Sequence, residues 1–131
     1  MQAILTGIYG LFSAGGDLKT ALTGGLHIEI ATPGIATPYA VYSVIAGRPE
    51  YLLGGEQTEI ITIQFDIYAE SNSSRQTLYG YLTALYDDAR PTISGYTSIV
   101  MERTFQQLLR AGDDHDFYRA IVEYQLTVEK N

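Results

Sequence analysis

The chain has 131 residues, enough for one core of ordinary size, and its hydrophobic fraction of 46% is that of a globular protein. It contains no Cys, which excludes disulfides and thiolate metal sites. Its formal charge is −7, and Arg48, Arg75, Arg90, Arg103, Arg110 and Arg119 are scattered, which argues against a basic patch gripping nucleic-acid phosphates. An acidic wall past which DNA slides is not excluded, because like charge repels phosphate.

Ile4, Leu5, Ile8, Leu11 and Phe12 recur at helical spacing, which predicts an amphipathic helix over 2–14 ended by Gly15-Gly16. The basic residues that precede a signal-peptide core are missing there, and no apolar run has the length of a membrane span. Asp17 suits the N-cap of one or two further turns, Leu18 to Leu22, closed by Gly24-Gly25. Leu26, Ile28 and Ile30 alternate with His27 and Glu29, a short half-buried strand, and 31–38 with two prolines and a glycine is a connection. YAVYSVIA, Tyr39 to Ala46, reads as a strand buried on both faces or nearly so. GRPEYLLGGEQ, Gly47 to Gln57, reads as a loop with the apolar Tyr51-Leu52-Leu53 in its middle.

The clearest strand is Glu59 to Glu70, with Ile61, Ile63, Phe65, Ile67 and Ala69 on one face and Thr62, Gln64, Asp66 and Tyr68 on the other. Asn72 and Ser73 open a helix, with Gln76 as the capping-box partner of Ser73. Its stripe is Leu78, Leu82, Leu85 and Ala89, flanked by Tyr79, Tyr81 and Tyr86, and Arg90-Pro91 ends it. Thr97 to Gln107 and Phe117 to Lys130 are two more strands; the second turns Ala120, Val122, Tyr124, Leu126 and Val128 one way. Between them LLRAGDDHD is acidic and long for a hairpin loop. The order α-β-β-β-α-β-β predicts an α+β two-layer domain over 1–131, helices on one face of a mainly antiparallel sheet.

Few residues offer chemistry. GLFSAGGDLKT has two glycines at the spacing of a phosphate-binding loop, but Gly16 stands where the lysine belongs and a helix precedes it; a helix-breaking turn is the better reading. Asp113, Asp114, His115 and Asp116 have metal-ligand chemistry, yet consecutive side chains rarely converge on one ion, and a solvated hairpin tip or an acidic contact surface fits better. His27 has no nucleophile near it, no G-x-S-x-G elbow is present, and nothing supports Glu29 or Glu102 as paired glycosidase carboxylates. The expectation is a chain without catalysis, cofactor or metal. Eleven Tyr and no Trp stand out, since Tyr joins apolar area to a polar tip and is enriched at interfaces.

Three stretches taken together carry a resemblance. TPYAVY at Thr37 to Tyr42 precedes a Gly-containing loop. ITIQFDIYAESNSSRQTLYGYLTAL at Ile61 to Leu85 contains the tripeptide Ile67-Tyr68-Ala69, and FYRAIVEYQLTV at Phe117 to Val128 contains Tyr118-Arg119 and Tyr124. In order and spacing, from about Ile8 to Glu129, they resemble the tail-completion proteins of long-tailed phages, the tail terminators. The resemblance implies a structural virion protein that caps the tail tube and joins it to the head connector. It would act as a homo-oligomeric ring, a hexamer, around the DNA channel, with the tube protein and the connector or stopper protein as partners. DNA would pass without specific binding and no membrane would be involved; the place is the head-tail joint of the virion, after assembly in the host cytoplasm.

No catalytic residues come with the resemblance, so the expected contacts are read from this chain. Arg48, Glu50, Tyr51, Leu52 and Leu53 are expected at a partner or subunit interface, because an apolar group at a loop tip is explained by a partner. Asp113, Asp114 and Asp116 are expected to face the lumen or the connector. The alternatives are a head-closure (stopper) neck protein, a divalent-metal enzyme built on Asp113 to Asp116, and a ligand-binding domain with a pocket.

Overall fold

In a computed structural model, which describes residues 2–31, 33–51, 57–111 and 117–131, the elements are α1 (Gln2–Ser13), α2 (Asp17–Ala21), β1 (Leu26–Ile28), β2 (Tyr39–Tyr51), β3 (Gln57–Ala69), α3 (Asn72–Tyr86), β4 (Tyr96–Ala111) and β5 (Phe117–Lys130). The strands form one sheet in the order β1-β2-β3-β5-β4. Among the described residues only β1 runs parallel to its neighbour; the other three pairings are antiparallel. This is the α+β arrangement the alternation of the sequence implies.

β3 and β5 are the central strands, and each turns five consecutive alternate residues inward. Ile61, Ile63, Phe65, Ile67 and Ala69 on β3 and Ala120, Val122, Tyr124, Leu126 and Val128 on β5 are fully buried. The helices cover that face with Ile4, Ile8 and Phe12 of α1, Leu18 of α2, and Leu78, Leu82 and Tyr86 of α3. Burial of this apolar surface is the dominant favourable term in the fold. Buried tyrosines add directed ties. The Tyr42 hydroxyl donates to the Leu5 carbonyl (2.7 Å), and the Tyr86 hydroxyl donates to the Ile8 carbonyl (2.9 Å), so β2 and α3 are both pinned to α1. The Tyr124 hydroxyl donates to Asp87 Oδ1 (2.6 Å), and Arg103 closes on Asp87 Oδ2 (3.3 Å), which joins the end of α3 to β5 and β4. Burial, foremost, pushes the Tyr42 phenol up to about 12 and those of Tyr86 and Tyr124 well above their ordinary value.

Several boundaries differ from the sequence expectation. Gly47 to Tyr51 is strand, because β2 pairs with β3 up to Tyr51–Gln57. Gly47 and Pro49 read as breakers, but the β1 ladder engages β2 at Ala40 to Tyr42, well before Pro49, and Pro is tolerated where a strand's N–H is not needed by a neighbour. β4 likewise continues through Leu108 to Ala111, so part of the acidic connection is ladder. Tyr39 to Ala46 is not buried on both faces: only Ala40 and Tyr42 are buried, and Ile45 at a bulge is exposed. β1 ends at Ile28, leaving Ile30 outside. Gly16, not Asp17, is the N-cap of α2, and Ser71, not Ser73, caps α3 by accepting from the Ser74 N–H (3.1 Å). α3 stops at Tyr86, well before Arg90, with Asp88 at a φ of 59° in the turn that follows.

Candidate functional site

The strand registers place the two long hairpins at opposite ends of the sheet. Tyr51 pairs with Gln57 and Thr58 with Glu129, so the β2–β3 hairpin closes where β5 finishes. Ala111 pairs with Phe117 and Ala69 with Tyr118, so the β4–β5 hairpin closes where β3 finishes. At roughly 3.3 Å per residue, the length of β3 separates the two ends by about 40 Å. Both regions singled out in the sequence belong to these hairpins. Arg48 is exposed on β2 and pairs through its backbone with Ile60. Glu50 and Tyr51 pair with Thr58 and Gln57, completing the ladder. Leu52 and Leu53 lie outside the described residues, as do Asp113, Asp114, His115 and Asp116.

The sheet face away from the helices carries a polar and aromatic cluster. Tyr39 of β2 stacks on Tyr68 of β3 with ring centres 5.0 Å apart, and the Arg119 guanidinium lies 5.6 Å from the Tyr68 ring centre. Arg119 bonds Asp66 (2.9 Å), whose two oxygens also accept from Gln64 Nε2 (3.2 and 3.1 Å). Phe117 meets the Tyr68 ring edge-on. Burial chiefly raises the Tyr68 phenol, with Arg119 opposing, so the ring stays neutral and acts as packing surface. At the base of the β4–β5 hairpin two guanidiniums approach the Tyr118 ring, Arg75 at 5.3 Å and Arg110 at 4.8 Å from its centre. Arg75 also donates to the Leu109 carbonyl (3.0 Å) and Asn72 Oδ1 (2.6 Å), so α3 fastens this hairpin base.

These arginine–aromatic groupings escaped sequence reasoning. Alternation puts Asp66 and Tyr68 on the face away from the apolar one and gives Arg119 the same parity on β5. Which of them meet is decided by register, and β2 and β4 carry bulges that no spacing reveals.

Other features position no chemistry. His27 is half-buried, with Nε2 2.8 Å from the Gly24 carbonyl and its ring edge-on to Tyr39. Among the described residues no three His, Asp or Glu side chains converge on a point. A cleft of about 670 Å³ between α1 and residues 92–94 is lined by Ala3, Gly7, Leu11 and Ile93 together with the uncharged polar Gln2 and Thr6. Among the described residues no helix is long and apolar enough to cross a membrane.

Comparison with known proteins adds the lineage. The family model for tail completion protein gp17 matches residues 6–129. No curated protein sequence matches. Among solved structures, a chain from the virion of a native gene transfer agent particle superposes with a TM-score of 0.81. The superposition covers 93% of this chain and 91% of that one at 12% identity, which speaks for a shared fold.

Proposed function

The chain belongs to the tail completion protein gp17 family, structural proteins of phage tails, and from that membership we propose that it caps the tail tube and joins it to the head connector as a hexameric ring around the DNA channel. One observation supports this reading beyond the family: two long hairpins leave opposite ends of one five-stranded sheet. A joint between tube and head needs contacts on both of its faces, and strands set along the ring axis supply one hairpin to each. Arg48, Glu50, Tyr51, Leu52 and Leu53 serve the partner or subunit contact at one end. Asp113, Asp114 and Asp116 face the lumen or the connector at the other.

The partners are further copies of the chain, the tube protein, and the connector or stopper protein. DNA passes without specific binding: six copies, each at −7, would present it with a repelling surface, screened beyond about 8–10 Å at physiological salt. No reaction, cofactor or metal enters this account, and residues 1–131 act as one domain. The place of action is the head-tail joint of the virion, reached by assembly in the host cytoplasm.

The test is electron microscopy of tail tubes assembled without the chain, before and after it is added pure. Tubes of uncontrolled length that become capped at one end and competent to bind heads support the proposal. Tubes left untouched while DNA-filled heads stop leaking would instead make the chain a stopper. No response from either would remove both readings.

A further inference from the structure

One row of paired residues crosses the whole sheet and levels its two outer strands, β1 and β4. Ile28 of β1 lies beside Tyr42, Tyr42 beside Phe65, Phe65 beside Val122, and Val122 beside Gln106 of β4. Around the two ends of that row, each edge exposes one large apolar side chain on each face of the sheet. On the helix side stand Ile28, paired with the inward Tyr42, and Leu108, paired with the inward Ala120; both are exposed. On the other face stand Phe105, paired with Glu123 and also exposed, and Ile30, which is 79% exposed. Ile30 reaches that face through a tight turn. Its N–H donates to the Ile28 carbonyl (2.7 Å), and Glu29 between them has a φ of 63°, which residues with a side chain rarely adopt. The turn sets Ile30 beside Tyr39, Val41, Asp66 and Tyr68, all on the face the helices leave uncovered.

Resting on the ring reading above, we propose that Ile28 and Ile30 at the β1 edge of one copy pack against Leu108 and Phe105 at the β4 edge of the next. Copies turned about an axis along the strands keep the row level, so the β1 edge of each meets its neighbour's β4 edge at the height of Gln106. Faces match as well as heights: Ile28 meets Leu108 on the helix side, and Ile30 meets Phe105 on the other. Removal of these four side chains from water drives the contact. Charge agrees in sign. Glu29, exposed between the two isoleucines, is the only carboxylate from Leu26 to Ala31, and β4 carries none from Arg103 to Ala111, so no like charge on the facing strand repels it. The contact is heterologous, one edge meeting a different edge, which is the geometry that closes rings. Four side chains cover only a fraction of the roughly 1,200–2,000 Å² that a stable pairwise interface buries. The contact therefore belongs to rings held on a tube end, where closure joins several weak contacts.

The absence of native Cys lets introduced thiols report the contact. β1 and β4 are four strand spacings apart in one copy, about 19 Å, so a bismaleimide shorter than that joins Ile28→Cys to Leu108→Cys only across copies. Applied to capped tubes, it is expected to give a ladder of linked chains on a denaturing gel. Ile28→Cys with Ile99→Cys stays unlinked, since Ile99 lies about 20 Å from Gln106 along β4. Ile30→Lys alone and Phe105→Glu alone are each expected to lower the number of capped tubes about tenfold, and the two together to restore it. Both positions are exposed, so the core is left intact, and an unchanged circular-dichroism spectrum checks this. Capped tubes whose double-cysteine chains stay unlinked overturn the edge contact and leave capping intact, as does a paired exchange that fails to rescue. Tubes that stay bare with the unaltered chain overturn both.

Discussion

Tyr42, Tyr86 and Tyr124 show why a chain without Trp carries so many tyrosines. Each ring fills the core while its hydroxyl reaches a specific acceptor, so packing between layers also gains direction. Alternation made the inward aim of Tyr124 legible in the sequence. The acceptors were not legible, because Leu5 is 37 positions from Tyr42 and Ile8 is 78 from Tyr86. Tyr42→Phe is expected to cost about 1 kcal/mol at neutral pH, the net worth of one hydrogen bond, as read from the midpoint of a urea titration. The pH dependence has a definite sign. Tyr42 is raised from an ordinary 10.0 to about 12, so the unfolded chain loses that proton first. The stability it contributes is complete below pH 10 and is lost as pH rises towards 12. Tyr42→Phe should therefore flatten part of the alkaline limb of stability against pH; an unchanged limb would contradict this coupling.

At the scale of elements, the helix α3 separates what spacing shows from what only geometry shows. Its apolar stripe was legible through Leu78 and Leu82, but Ser71, Ser73 and Ser74 are chemically alike, and backbone angles alone select the cap. Ser71→Ala is expected to cost about 1 kcal/mol and Ser73→Ala, exposed in the first turn, nearly nothing; equal losses in thermal unfolding would contradict the assignment. Strand extents follow a similar logic. β3 and β5 were readable because each alternates through five buried residues, whereas Gly47 and Pro49 hid the end of β2, since the end of a strand beyond the ladder of its outer neighbour accepts residues that a central strand rejects. Cross-strand groupings such as Asp66 with Arg119 depend on register, which bulges shift without a signal in composition.

For the whole molecule, the sequence foretold the α+β layout and the family, because alternation and apolar stripes decide which faces meet. It did not reveal that the two hairpins leave opposite ends, which follows from pairing order. Contacts at the tips should therefore be separable from folding. Tyr51→Ala with Leu52→Ala is expected to keep the wild-type circular-dichroism spectrum and melting temperature yet lose tail joining; normal joining by that variant would withdraw these residues from the interface. The central claim, that this chain caps the tube and links it to the head, is tested most directly by counting joined particles. Purified heads and tail tubes made without the chain would be mixed with increasing amounts of it and scored by electron microscopy. The account predicts that the fraction of tubes carrying a head rises from near none and saturates when each tube end holds one ring. A fraction that stays at its starting value at every dose, with heads and tubes both intact, would contradict it.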